Sequence, residues 1–185
     1  MDRDLVEAAR RGDREAYADL IRSRGDRLFA IAQRVLRDVD RTEDAVQEAL
    51  VIAWRDLPGL RDPDRFDAWL HRLVVRACVH EAMRQRRLVA NLHVLPADFP
   101  AGPDEILSVA DRDQLERGFL RLDPELRAVI VLHHYLALPV PAVAAILGIP
   151  LGTAKSRLHR ALGLMRAALD ADARVRPDLV EGRLT

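Results

Sequence analysis

One stretch near the carboxyl end of the sequence combines cationic side chains with small polar ones and contains no acidic residue. Residues 151–166 have a net charge of +4 from four basic side chains: Lys155, Arg157, Arg160 and Arg166. Arginine and lysine bind phosphate, while hydroxyl and imidazole groups such as those of Ser156 and His159 hydrogen-bond to base edges. The chemistry that this mixture favours is contact with nucleic acid.

A second basic stretch lies in the other half of the chain. Residues 65–90 carry six arginines against Asp67 and Glu81, a net charge of +4. Residues 91–125 separate the two stretches and have a net charge of −5, with three arginines and eight acidic residues. The whole chain is neutral, but phosphate binding follows local patches rather than total charge. On charge alone, two solvated helix faces remain an equally good interpretation.

The sequence lacks the residue sets that catalysis or metal binding requires. Cys78 is the only cysteine, so no internal disulfide can form and a reducing compartment is indicated. His71 and His80 lie near it in sequence without the further ligands of a zinc site, so we predict that Cys78 is a buried thiol. His133 and His134 have no nearby acidic or nucleophilic partner, which favours structural or surface roles. We therefore predict no catalytic residue, no metal and no cofactor.

Apolar residues recur at helical spacing along most of the chain, and only 4% of residues are aromatic, so we predict an all-α fold. A cluster of proline and glycine at 96–103 indicates a flexible linker. We expect helices at 43–57, opened by a capping box of Asp40 and Glu43, and at 66–88. The chain then divides into four segments: a domain at 1–88, a linker at 89–104, a domain at 105–170 and a polar tail at 171–185.

The amino-terminal residues are charged, and no signal peptide precedes the first helical pattern. No apolar run approaches the roughly 18 residues that a membrane span needs. We expect a cytoplasmic protein without membrane insertion.

The segment 140–160 has the spacing of a helix-turn-helix unit. Ala144 is small enough to let two helices approach, and Gly148 permits the positive φ of a tight turn. The second helix is predicted to begin near Gly152 and Thr153. Its outer face carries a set of side chains that suits a major groove: Lys155, Ser156, Arg157, His159 and Arg160. A helical hairpin with a solvated basic face is the alternative that these residues leave open.

The segment 151–161, LGTAKSRLHRA, closely resembles the promoter-reading helix in the fourth conserved region of sigma factors of the extracytoplasmic-function group. The segment 122–132, LDPELRAVIVL, resembles the helix that precedes it in that family. Pro150 departs from the usual Ser or Asp cap, and Val140-Pro141 replaces the usual polar residues. The resemblance implies that the following side chains contact the −35 promoter element: Thr153, Lys155, Ser156, Arg157, His159 and Arg160.

The resemblance extends to the first domain. The segment 44–55, DAVQEALVIAWR, is similar to the family's helix that binds core RNA polymerase. Five of its residues fall on one helical face: Asp44, Gln47, Glu48, Val51 and Arg55. An ordinary solvated face would show the same pattern. The resemblance implies docking on a coiled coil of the largest catalytic subunit, with the polymerase flap as a further contact.

The segments 66–73 and 84–87 resemble the helix that reads and melts the −10 element, and the loop 60–65 lies where the family captures a base. The residues that this resemblance assigns to the −10 element are Asp62, Arg65, Arg72, Arg76, His80, Arg84 and Arg87. Many members carry Asn or Asp at the positions of Arg76 and His80, so these two are departures. Phe66 and Trp69 could equally belong to the core.

Together these resemblances cover about residues 3–168 and imply a sigma factor that brings core polymerase to promoter DNA and helps to separate its strands. Such factors are usually held by an anti-sigma partner. A stand-alone helix-turn-helix regulator is the alternative, with a first domain that senses a ligand or dimerises. It predicts an apolar pocket within residues 1–88 and binding to a palindromic site without polymerase.

Overall fold

The computed structural model describes residues 2–92, 118–119 and 121–181, and side chains within 3–88, 118–119 and 121–170. Every regular element in these ranges is helical, as the sequence predicted. The first domain comprises α1 (Asp2–Arg10), α2 (Arg14–Arg22), α3 (Gly25–Leu36), α4 (Val39–Asp56) and α5 (Phe66–Leu92). The second comprises α6 (Pro124–Ile130), a π-helical turn (Val131–Tyr135), α7 (Val140–Leu147) and α8 (Leu151–Glu181).

Side-chain caps fix where two helices of the first domain, α2 and α4, begin. The Asp13 carboxylate accepts hydrogen bonds from two backbone N–H groups in the first turn of α2. Asp38 caps α4 in the same way by accepting from the N–H of Arg41 at 3.0 Å. The predicted capping box of Asp40 and Glu43 is therefore wrong. The helix begins earlier because Asp38 already satisfies a free N–H of its first turn.

The core of the first domain lies between α3, α4 and α5. Its largest fully buried side chains come from α2, α3, the turn after α4 and α5: Leu20, Leu28, Ile31, Leu57, Phe66 and Leu70. Small residues on α4, namely Ala45, Ala49 and Ala53, are wholly buried and let the neighbouring helices approach. Tyr17 ties α2 to α4, because its hydroxyl donates to the carbonyl of Leu50 at 2.7 Å. This hydrogen bond helps to fix which side of α4 faces solvent.

Two helices run further than the sequence analysis placed them. The end of α5 is Leu92 rather than residue 88, and α8 continues to Glu181 into the segment predicted as a polar tail. The added residues of α5, VANL, include Ala and Leu, and those of α8, ADARVRPDLVE, include Ala, Leu and Arg, all of which favour the helix. The rest of the predicted linker, 93–104, and the start of the second domain, 105–117, lie outside the described residues.

The helix-turn-helix unit of the second domain has the predicted geometry. Gly148 ends α7 with φ +64°, a conformation that glycine adopts without strain. The N–H of Ile149 donates to the carbonyl of Ala144 at 3.1 Å, which completes the cap. Pro150 precedes α8, and its carbonyl accepts the N–H of Ala154 at 3.0 Å. The departure at Pro150 therefore leaves the start of the helix intact, at Leu151.

The two domains are packed against each other. One continuous buried cluster contains side chains of the first domain, from Val6 to Ala82, together with five from the second: Ala128, Val129, Val131, Leu132 and Val143. A smaller cluster within the second domain joins Leu122, Leu126 and Ile130 to Ala161 on α8. Among the described residues, no helix is both long and apolar enough to cross a membrane.

Candidate nucleic-acid interfaces

The outer face of α8 presents the predicted polar and basic side chains to solvent. Lys155, Ser156, His159 and Arg160 are exposed and Thr153 is half-buried. The opposite face packs inward through Ala154 and Ala161, both fully buried. The Ser156 hydroxyl donates to the carbonyl of Thr153 at 3.0 Å. This face can meet phosphates and base edges without any rearrangement of the helix.

Arg157 differs from its neighbours on α8. Only 27% of its side chain is exposed, and its guanidinium forms an ion pair with Glu125 on α6. The side chain thus connects two helices of the second domain. Its predicted contact with the −35 element would require the guanidinium either to leave Glu125 or to use its remaining N–H groups.

A second basic face runs along α5. Arg76, His80, Arg84 and Arg87 are exposed, and their spacing of three to four residues places them on one side of the helix. Arg72 is half-buried at the beginning of the same side. These side chains form a cationic strip that can follow a nucleic-acid backbone.

One arginine of this strip has a partner in its own helix. Arg84 contacts Glu81 at 2.7 Å, and the Glu81 side chain is only 6% exposed. A buried carboxylate without a cation is unfavourable. Arg84 therefore stabilises the fold by pairing with Glu81, in addition to any contact with DNA.

The loop before α5 is held by its own carboxylates. Asp62 accepts a hydrogen bond from the N–H of Asp64 at 3.1 Å and contacts Arg65 at 3.2 Å. Both side chains of this ion pair are largely exposed. Arg3 of α1 reaches across to Asp64 at 3.0 Å. The structure therefore places the predicted loop residues Asp62 and Arg65 together, on a short turn beside the beginning of α5.

The two aromatic residues at the start of α5 serve the core. Phe66 is 2% exposed, and the guanidinium of Arg24 lies 5.4 Å from the centre of its ring. Trp69 is half-buried, and its ring centre lies 6.0 Å from that of Phe66. Phe66 is thus closed to a captured base, while Trp69 retains one accessible side.

Two titratable groups on the inward side of α5 have shifted pKa values. Burial, together with the positive charges of Arg27 and Arg24, lowers the pKa of His71 below its ordinary value, although Asp67 opposes the shift. Burial raises the pKa of the Cys78 thiol. Cys78 is thus an inert core side chain, as predicted. Among the residues with described side chains, no group of His, Cys, Asp and Glu could hold a metal ion.

The predicted partner-binding face of α4 is exposed as a whole. Its five members lie on the side of the helix away from the core: Asp44, Gln47, Glu48, Val51 and Arg55. Val51 is 70% exposed, the highest value among the exposed large apolar residues with described side chains. On the same helix, the ring of Trp54 lies 5.0 Å from that of Tyr17 on α2, centre to centre, with the two planes tilted by 56°. A single exposed valine is common on protein surfaces, so the partner-binding role of this face stays a prediction.

Several contacts between the domains were missed by the sequence analysis. Arg86 on α5 contacts Glu125 at 2.9 Å and Asp123 at 3.5 Å. Arg34 on α3 lies over the ring of Tyr135, 4.4 Å from its centre. The arginine run at 84–87 was visible in the sequence, but its partners lie 37 or more positions away. No local signal connects them.

Comparison with known families divides the chain in the same way as its fold. Residues 20–88 match the model of sigma-70 region 2, and residues 112–165 match that of sigma-70 region 4. The first match contains α4 and α5, and the second contains the helix-turn-helix unit. The basic face of α5 therefore lies within the region 2 match, and the basic face of α8 lies within the region 4 match.

Individual relatives are similar over nearly the whole chain. The RNA polymerase sigma-E factor of Streptomyces coelicolor is 33% identical, over 85% of this chain and 90% of that protein. The extracytoplasmic-function sigma factor SigM of Mycobacterium tuberculosis is 32% identical, over 86% of this chain and 80% of its own length. SigW of Bacillus subtilis, of the same group, is 26% identical over 91% of this chain and 97% of its own length.

Two solved structures share the fold. One is the sigma factor RpoE of Bartonella quintana in complex with the anti-sigma factor NepR, with a TM-score of 0.64 and 26% identity over 84% of this chain and 98% of that one. The other is CnrH in complex with the cytosolic domain of CnrY, with a TM-score of 0.55 and 28% identity over 92% of this chain and 98% of that one.

Proposed function

Because the chain belongs to the extracytoplasmic-function group of RNA polymerase sigma factors, we propose that it divides promoter recognition among three exposed helix faces. The α4 face docks on core polymerase, the α8 face grips the −35 element, and the α5 face with its loop reads and opens the −10 element. The observation that carries this proposal is that all three faces are exposed at once on one chain. A stand-alone regulator would not need a separate partner face on α4.

The α8 face suits duplex DNA. Lys155 and Arg160 supply phosphate or guanine contacts, and Ser156 and His159 are short enough to approach base edges from a helix in the major groove. The helix-turn-helix geometry around Gly148 presents the first turns of α8, as such units do. Thr153, at the beginning of this face, completes the proposed −35 contacts. Arg157 joins them through whichever of its N–H groups Glu125 leaves available.

The α5 face suits a strand that has left the duplex. Arg72, Arg76, His80 and Arg87 form a cationic strip along which a single-stranded backbone can lie. The loop with Asp62 and Arg65 stands at one end of that strip and supplies polar groups for an unstacked base. Strand opening needs binding energy for the separated state rather than bond chemistry. The protein therefore acts as a binding factor and not as an enzyme.

The proposed function also indicates where the protein acts and which further partners it binds. The protein acts in the cytoplasm, where polymerase and DNA are. Its structural neighbour RpoE was solved with an anti-sigma factor bound, and we infer a partner of that kind for this chain. Each basic stretch has a net charge of only +4, so we expect the isolated chain to bind DNA weakly. A gel-shift assay that found tight, sequence-specific binding without polymerase would contradict this.

The α4 face provides the sharpest test. Val51→Glu places a carboxylate at the centre of the proposed interface, and we expect affinity for core polymerase to fall about 30-fold or more, as for an interface hot spot. Val39→Glu is the matched control, because Val39 is also an exposed valine on α4, at 54%, but lies in its first turn and off the face. Both affinities are measured by fluorescence titration, alongside run-off transcription.

Equal loss in the two variants would show that added charge on α4, rather than the face around Val51, determines binding. If the unmodified chain neither co-elutes with core polymerase nor allows it to start RNA synthesis, the proposed function itself is wrong. Circular dichroism of both variants verifies that the helical fold is kept.

A further inference from the structure

A single arginine connects the turn between α2 and α3 to the beginning of α5. The Arg24 side chain is only 12% exposed, and its guanidinium donates in two directions. On one side, Nε donates to a carboxylate oxygen of Asp67, in the first turn of α5. On the other, one terminal nitrogen donates to the carbonyl of Leu20 at 3.2 Å and to the hydroxyl of Ser23 at 2.9 Å. One planar group thereby joins the end of α2 to the start of α5.

The same guanidinium lies against the first residue of α5. Its central carbon is 5.4 Å from the centre of the Phe66 ring, a distance at which a cation is attracted to the face of an aromatic ring. Arg24 therefore holds two consecutive residues, Phe66 by its ring and Asp67 by its carboxylate. Consecutive side chains point about 100° apart around a helix. Contacts to both thus limit the rotation of α5 as well as its displacement.

The loop of the proposed −10 site ends where these two residues begin. Asp62 and Arg65 pair through side chains that are largely exposed, and such a pair does little to hold a fixed geometry. Arg65 directly precedes Phe66, so a displacement of the start of α5 moves the loop with it. A binding site needs its groups held within about 0.5 Å by supporting contacts. Arg24 supplies such a contact from behind the loop.

We propose that Arg24 is a positioning residue for base capture. Through Phe66 and Asp67 it holds the loop 60–65 and the start of α5 where an unstacked base of the −10 element is bound. The inference rests on the proposed function, since it adds a residue to the same −10 site. Arg24 acts through its neighbours rather than by touching DNA, because its side chain is largely buried and its donors are directed at groups of the protein.

A second arginine reaches the same loop from a more exposed position. Arg3 of α1 contacts Asp64 at 3.0 Å, and the two side chains are 59% and 63% exposed. Water and salt screen such a pair, so its loss changes little. Arg3→Ala is therefore the matched control for Arg24→Ala. Each variant removes an ion pair between an earlier segment and the region around the loop, but only Arg24→Ala removes a largely buried guanidinium.

Combined changes in protein and DNA test this role at the level of the base. Holoenzyme is assembled from core polymerase and the full chain, and a promoter is selected with the unmodified holoenzyme. Its −10 region is then mismatched, so that the measured affinity does not include the cost of opening the duplex. Each mismatched nucleotide is replaced in turn by an abasic site, which keeps the phosphate and removes the base. Fluorescence anisotropy gives the affinity of holoenzyme for each template.

We expect an abasic site at the captured position to weaken binding by the unmodified holoenzyme about tenfold, as the loss of a stacked base does. Arg24→Ala should weaken binding to the intact template by a similar factor. On the abasic template its effect should fall below about twofold, because the base that it helps to capture is already missing. Arg3→Ala should change neither affinity by more than about twofold.

The outcomes separate this inference from the proposed function. If the unmodified holoenzyme responds to an abasic site but Arg24→Ala weakens both templates equally, Arg24 acts only through the general stability of the domain, and the inference is wrong. If no abasic site weakens binding by the unmodified holoenzyme, no base is captured, and the proposed −10 function fails together with the inference. Circular dichroism shows whether each variant keeps its helices.

Two variants at Asp67 provide the same test if Arg24→Ala does not fold. Asparagine keeps an oxygen that can accept from Nε of Arg24, whereas alanine removes the acceptor. On the intact template we expect Asp67→Ala to lose about fivefold and Asp67→Asn about twofold, since the hydrogen bond rather than the charge sets the position. Both losses should disappear on the abasic template. Equal losses for the two variants, or losses that persist without the base, would overturn the proposal.

Discussion

The two basic helices, α5 and α8, differ in how far their cationic side chains are paired with acidic residues of the same chain. On α8, Lys155 and Arg160 are exposed and no acidic residue occurs from 151 to 166. On α5, Arg84 contacts the buried Glu81, and Arg86 contacts two carboxylates of the other domain. Arg157 of α8 is also paired, with Glu125, so the difference between the helices is one of degree. In the proposed roles, the helix that binds duplex DNA presents most of its charge in the free chain, and the helix that binds an opened strand presents less.

Charge reversal on α8 should produce the largest effect. In Lys155→Glu/Arg160→Glu, two favourable phosphate or base contacts become repulsive, and we expect promoter-dependent transcription to fall about 100-fold. Arg166→Glu is the control, since it is an exposed arginine on the same helix about 9 Å beyond Arg160. A similar fall for Arg166→Glu would mean that general charge, rather than the proposed face, determines the effect. Transcription with and without a −35 element separates the two cases.

Arg87→Ala on α5 should have a smaller effect of a different kind. Losing one contact to the separated strand is expected to slow open-complex formation about tenfold on duplex DNA. On a template whose −10 region is already mismatched, the defect should shrink, whereas that of the α8 variant should persist. Permanganate footprinting measures the opening. Equal defects on both templates would remove the functional distinction between the two helices.

Arg84→Ala tests whether an α5 arginine also stabilises the fold. We expect a loss of about 1 kcal/mol in the free energy of unfolding, because Glu81 keeps its buried charge without a cation while Arg84 is itself well exposed. Glu81→Gln/Arg84→Ala should regain that stability in urea titrations without regaining any lost promoter activity. If the double variant recovers both, Arg84 acts only through folding and has no contact with DNA.

The smallest effect concerns pH and the inward side of α5. Since the pKa of folded His71 lies below 6.5, the unfolded chain takes up a proton first as the pH falls. His71 therefore has no effect on stability well above pH 6.5 and lowers it progressively below that value. His71→Gln should flatten this part of the stability curve, measured by urea unfolding between pH 5 and pH 8. A curve that keeps its slope would assign the dependence to other groups.

Much of the local structure could be predicted from the sequence. The turn at Gly148, the exposed face around Val51 and the burial of Cys78 each follow from neighbouring residue types and helical spacing. The errors were also local: Asp38 rather than Asp40 caps α4, and α5 and α8 run beyond residues 88 and 170. Several polar residues near a helix end offer competing caps. The choice between them depends on backbone geometry that the sequence does not display.

The charge pattern does not show which arginines are available to DNA and which are already paired with an acidic residue of the same chain. Arg157 stands between exposed neighbours in sequence, yet it contacts Glu125. Arg84 belongs to a basic run, yet it balances a buried carboxylate. Their roles at the promoter stay predictions that the variants above examine.

By itself, the sequence determined that this chain is helical, that it carries two basic helices in two domains, and that a third helix presents a valine among charged residues. Helical periodicity and local charge are enough for these conclusions, since each depends on residues within a few turns of one another. Only the tertiary structure decided that both domains share one core and that Arg86 pairs with Asp123 and Glu125. Those contacts join residues 37 or more positions apart, and which of many apolar and charged surfaces meet is settled by shape and packing rather than by any short pattern.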